Sequence, residues 1–127
     1  MIGWFERNNK ISWIITILIG IGIFYMSSLQ FQSSGSGFGW KPLAYHLTAF
    51  FMFSFFLLIS LVRGKLNKRD ILIAFFISII YGIFDEIHQI FVPSRAFSLF
   101  DILTDSTGVL IAVVIYFSYC RRCQVRL

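Results

Sequence analysis

Residues 71–119 read ILIAFFISIIYGIFDEIHQIFVPSRAFSLFDILTDSTGVLIAVVIYFSY. Two apolar runs, Ile71 to about Phe91 and about Leu99 to Tyr119, flank a short turn that carries Pro93 and Arg95. Each run is near the ~20 residues that take an α-helix across ~30 Å of hydrocarbon. Neither alternates as a barrel strand does, and an isolated strand would leave backbone groups unpaired in lipid. The stretch therefore predicts a helical hairpin that crosses a membrane twice. Its oddity is its centre, which gathers Asp85, Glu86, His88, Gln89, Arg95, Asp101 and Asp105. Polar groups in such surroundings are costly and need a reason to be there.

Working outward, two more apolar runs precede the hairpin, Ile11 to about Leu29 and Leu43 to Val62. The expected fold is all-α: one domain over residues 1–127, a bundle of four transmembrane helices at about 11–29, 43–62, 71–91 and 99–119. Composition agrees. The chain is 57% hydrophobic and 13% charged, with mean hydropathy +0.79. A soluble domain of 127 residues exposes too large a share of its surface to hide that much apolar area. The first run is read as a retained helix rather than a signal peptide, because it is long and no A-x-A-like site follows.

The basic residues set the expected orientation. Arg7 and Lys10, then Arg63, Lys65, Lys68 and Arg69, then Arg121, Arg122 and Arg126 fall on one side; only Lys41 and Arg95 fall on the other. The positive-inside rule puts both termini in the cytoplasm and the polar stretch at the extracytoplasmic end. Clusters between apolar runs are topology signals, so the net charge of +5 does not argue for nucleic acid. Cys120 and Cys123 form C-R-R-C without the βαβ setting of a redox motif and read as interfacial thiols. The Gly- and Ser-rich segment from Gln30 to Trp40 reads as a connector ending in an interfacial Trp.

At 3.6 residues per turn Asp85, His88 and Gln89 share one helix face, with Glu86 about 100° around. Val92 before Pro93 is biased to extended backbone, so the helix should end there. Asp101 and Asp105 lie one turn apart on the fourth helix. Asp101 or Ser98 can serve as its N-cap, but Asp105 lies too deep for that role. Gly108 and Ala112 make a small-xxx-small pair that admits a close neighbour. His46, with Lys41 before it, enters the second helix from the same membrane side. Three helices thus bring polar groups to one depth, and a shared site is expected. Arg95 can neutralise a carboxylate or grip a ligand phosphate. The acids outnumber the nearby bases, so one is protonated or awaits a cation.

These motifs resemble the VanZ-like family of small membrane proteins, named for a teicoplanin-resistance accessory protein. The likeness rests on Asp85-Glu86-Ile87-His88-Gln89, on Phe91-Val92-Pro93-Ser94-Arg95, and on Ser98, Asp101 and Gly108. His46 with Lys41 is similar to the family's Lys/His element, and Tyr25 to Gln30 to its Ser-rich first-helix end. Where this chain has Asp105 the family more often has Asn. The resemblance implies a role at the cell envelope; in the member that names the family that role is reduced susceptibility to lipoglycopeptides.

Two functions follow as expectations. One is a non-enzymatic protein that binds a lipid-linked or amphiphilic envelope molecule, with membrane lipids, lipid-linked precursors or a lipoglycopeptide as partners. His46, Gln89, Arg95, Asp105 and Lys41 would supply its contacts. The other is a membrane hydrolase or transferase using Asp85, Glu86, His88 and Asp101 as acid/base groups, with a divalent metal as candidate cofactor. D-E-x-H is not the H-E-x-x-H of metalloproteases. A proton path is disfavoured, since the cytoplasmic halves of the helices lack charges.

Overall fold

The computed structural model describes residues 2–29, 40–93 and 95–125. These form five helices: α1 (Ile2–Arg7), α2 (Asn9–Ser28), α3 (Trp40–Val62), α4 (Lys68–Ile90) and α5 (Leu99–Val125). Four of them are long and apolar enough to cross a membrane: Asn9–Ser28, Trp40–Val62, Lys68–Ile90 and Leu99–Cys123. The expected helices are all present, with ends that shift by a few residues. The short α1 is an element that the apolar runs do not announce. The expected connector, residues 30–39, lies outside the described residues, as do Ser94 and Arg126.

The helix ends follow local chemistry. Asn67 caps α4 by accepting from the Arg69 N–H at 3.0 Å, and Asp70 sits in that first turn, where the helix dipole favours an acid. At the far end Phe91 is the C-cap, and Pro93 follows where helix cannot continue. The α3–α4 turn passes through Arg63 at φ 51° and Gly64 at φ 73°. At Gly64 a side chain would also collide with the Glu6 carboxylate, 2.8 Å from its Cβ position.

α3 is the central element and packs against each of the other four helices. Its Phe50, Phe53, Leu57, Leu58 and Ile59 are buried and form the core with Ala74 of α4 and Val109, Ala112 and Tyr116 of α5. The outer faces are the reverse of a soluble protein's: Ile14, Leu18, Ile21, Phe76, Leu103 and Val114 are all exposed. Such faces suit lipid. Several hydroxyls inside the spans bond within their own helices, as Thr16 on Ser12 O at 2.9 Å and Ser78 on Ala74 O at 2.9 Å. Each such bond pairs a donor that water cannot reach in hydrocarbon.

α3 and α5 approach closely at Gly108. A Cβ there would lie 2.5 Å from Leu47 O and 3.0 Å from Phe51 N. Backbone meets backbone, which is the reason the small-xxx-small pair exists. The contact lies beside His46, so it also sets the spacing of the polar groups.

Candidate functional site

His46 lies six residues into α3, Asp105 six residues into α5, and Asp85 five residues before the end of α4. At ~1.5 Å per residue these depths agree within a turn. All three side chains are buried, at 3%, 2% and 4% exposure, and Glu86 and Gln89 join them at 0% and 1%. His46 Nδ1 meets Asp105 Oδ1 at 3.0 Å. Gly82 of α4 leaves room for this pair: its Cβ position would be 3.4 Å from Asp105 Oδ2.

Asp85 is held on both oxygens. Ser27 Oγ of α2 donates to Oδ1 at 2.5 Å. Gln89 Nε2, one turn on, donates to Oδ2 at 3.1 Å. Arg95 Nη1 donates in turn to Gln89 Oε1 at 3.3 Å, so the guanidinium reaches Asp85 through an amide relay.

Glu86 ties the hairpin together. Its Oε2 accepts from the Ser98 backbone N–H at 3.0 Å, while Ser98 Oγ accepts from the Asp101 N–H at 3.2 Å. In a capping box the residue at the Asp101 position would reach back to the cap's N–H. Here an acid from the preceding helix takes that donor. Ser98 is thus the N-cap of α5, and Asp101 sits half-buried in its first turn.

One donor atom each from His46, Asp85 and Glu86 lies within 4.8 Å of the other two. Two ionised carboxylates no more than 4.8 Å apart repel by at least about 3.5 kcal/mol at an effective dielectric of ~20. Yet Glu86 Oε1 and Asp105 Oδ2 are buried without a hydrogen-bond partner among the described residues. A buried acceptor left open costs roughly 1–3 kcal/mol. The cluster is therefore built short of positive charge and short of donors.

Of the expected site residues, the structure brings His46, Asp85, Glu86, Gln89 and Asp105 together, with Arg95 and Asp101 at their edge. His88 and Lys41 stand apart. Helical periodicity puts His88 on the Asp85 face, but Glu86 occupies the buried position. His88 instead turns toward α2, where its Nε2 is 3.0 Å from Ser28 Oγ and its ring stacks on Phe24 at 4.4 Å. The reason is that the bundle buries α4 on two sides, against α3 and α5, so 86 counts as inside. Lys41 is exposed. Ser27 is a site residue that the sequence reading misses; its place one position from a helix end, beside Ser28, is the available signal.

A groove of about 450 Å³ runs along the membrane-facing side between α2 and α4, lined by Trp13, Ile17, Phe24, Phe53, Ile77 and Tyr81 among others. Two of its lining residues are bonded to each other, Tyr81 OH donating to Gly20 O at 2.7 Å. The groove extends to Phe24, which stacks on His88, one turn from Ser27 and Asp85. A polar, acid-rich cluster thus stands near one end of an apolar channel.

No curated protein and no solved structure matches the chain. The family comparison does match, over residues 7–121, a span that contains all four long helices up to Arg121 and every residue of the cluster. The chain is a polytopic membrane protein and belongs to the VanZ/LLP1 family.

Proposed function

We propose that the protein binds an amphiphilic, lipid-linked molecule of the cell envelope, with the headgroup against the His46, Asp85, Glu86 and Asp105 cluster and an acyl chain in the α2–α4 groove. The carrying observation is the placement of the buried acid cluster near the end of that groove. From Trp13 to Phe24 the groove follows twelve residues of α2, a rise of about 16 Å at ~1.5 Å per residue, a fair match to an extended acyl chain. The nine-to-two distribution of Lys and Arg supports an extracytoplasmic site with both termini in the cytoplasm. That is where a lipoglycopeptide or an exported lipid-linked precursor is met, in keeping with the family likeness to a teicoplanin-resistance protein.

The test is lipid retention by detergent-purified protein, read by mass spectrometry. An envelope lipid should co-purify with the wild type. Ile77→Trp, which fills the groove from its exposed side, should lose it, and so should Asp85→Asn. Equal recovery of the same lipids by all three proteins would refute the reading.

A second reading is favoured by the His46–Asp105 pair. A histidine oriented by a carboxylate is a general-base arrangement, and Asp85 and Glu86 are near enough to hold an acid's proton. A hydrolase or transferase acting on a phospholipid or lipid-linked precursor would use His46, not His88, as its base. Turnover of such a lipid by wild type but not by His46→Ala would establish it.

A further inference from the structure

We infer that His46, Asp85 and Glu86 form a binding site for one divalent first-row transition cation, Zn²⁺ or Mn²⁺, with Asp105 positioning His46. The first observation is the triplet itself, whose donor atoms lie within 4.8 Å of one another. Tetrahedral ligands ~2.0–2.1 Å from Zn²⁺ stand ~3.3 Å apart, so side-chain torsions need to close the cage by about 1.5 Å at most.

The second observation is independent of spacing. Glu86 is 0% exposed, one of its oxygens is held by Ser98 N–H, and the other, Oε1, has no hydrogen-bond partner among the described residues. A cation would use this open acceptor.

The third is the way the ligands are held. His46 commits Nδ1 to Asp105, which leaves Nε2 for an ion. Metal-bound histidines commonly give their other ring nitrogen to a carboxylate in this way. Asp85 is oriented by Ser27 and Gln89, and Glu86 by the Ser98 backbone. Every proposed ligand therefore has an orienting partner. An imidazole among carboxylates favours a transition ion over Ca²⁺ or Mg²⁺, which take oxygen donors. Once bound, the ion offsets the charge deficit of the cluster and presents a positive site to a phosphate or carboxylate headgroup.

The inference does not depend on the amphiphile reading, because its test uses no added lipid. Chelator-treated protein in detergent is titrated with Zn²⁺, Mn²⁺, Mg²⁺ and Ca²⁺, and metal content is measured after desalting. The expectation is one Zn²⁺ or Mn²⁺ per chain. His46→Ala and Glu86→Gln should weaken binding by more than about 100-fold and Asp105→Asn by about 10–100-fold, while His88→Ala and Glu6→Gln bind as wild type. Circular dichroism checks that each variant is helical. Co²⁺-loaded wild type supplies a readout free of folding effects: ligand-field bands without thiolate charge transfer are expected. The inference is overturned by absence of Zn²⁺ and Mn²⁺ binding to wild type, by equal binding of Mg²⁺ and Ca²⁺, by retention in folded His46→Ala and Glu86→Gln, by loss in His88→Ala, or by a thiolate band that places the ion at Cys120 or Cys123.

Discussion

The bundle holds a polar cluster at each end, half-buried at one and fully buried at the other, and the two are built differently. At the end of the α3–α4 turn, Tyr116 OH donates to Glu6 Oε1 at 2.8 Å and accepts from the Gly64 N–H at 3.2 Å. Donors and acceptors balance there, and no buried side-chain atom of that trio is without a partner among the described residues. At the end of the α4–α5 turn the acids outnumber the donors, and Glu86 Oε1 and Asp105 Oδ2 are open. The first cluster fastens α1 and the turn to α5. The second holds unsatisfied capacity in place, which is what a binding site needs and a fastening does not. Exposure differs as well: Glu6 and Gly64 are half-buried, whereas Glu86 and Asp105 are 0% and 2% exposed. The contrast in pairing comes from which groups face which.

The largest effect should come from breaking the frame that both clusters share. Gly108→Leu places side-chain atoms into the Leu47 and Phe51 backbone and should cost about 3 kcal/mol or more, seen as a large fall in thermal unfolding temperature in detergent. It should also abolish ligand retention, because the His46–Asp105 distance depends on that contact.

Next is the balanced cluster. Tyr116→Phe strands the Gly64 N–H and a Glu6 oxygen and should destabilise by about 1–3 kcal/mol, while ligand and metal binding to folded protein remain. A Tyr116→Phe protein as stable as wild type would remove the distinction drawn between the ends.

The unbalanced cluster should answer with the opposite pattern. Glu86→Gln removes a buried charge with an open oxygen, so stability should stay within about 1 kcal/mol of wild type while binding is lost. A large stability loss with binding intact would show that the tie to Ser98 N–H, and not the open oxygen, is the main role of Glu86. Smallest of all, Lys41→Ala should leave unfolding temperature and binding unchanged, since Lys41 is exposed and outside the cluster. Reduced binding by Lys41→Ala would extend the site to the membrane interface.

How far the chain can be read in advance depends on the range of the interaction. The four spans are legible because each is a local property, a run of apolar residues of membrane length. The polar stretch from Asp85 to Asp105 stands out for the same reason. Of the two candidates Glu86 and His88, only Glu86 enters the cluster, because periodicity alone assumes a single buried face, whereas α4 packs against both α3 and α5 and buries a wider arc. Ser27 shows only its place in a Ser-rich helix end, and Glu6 and Tyr116 give no local sign, since the partners Asp85, Tyr116 and Gly64 lie 58, 110 and 52 positions away.

The sequence by itself thus determined that this is a bundle of membrane-length helices with an acid-rich band toward one end, because hydrophobic length and the cost of buried charge act residue by residue. Only the tertiary structure decided that His46 faces Asp105, that Glu86 rather than His88 enters the cluster, and that a groove leads toward it. Those outcomes rest on backbone contact at Gly108 and on the space left by Gly82, and a close approach between helices is a property of the pair that neither helix carries alone.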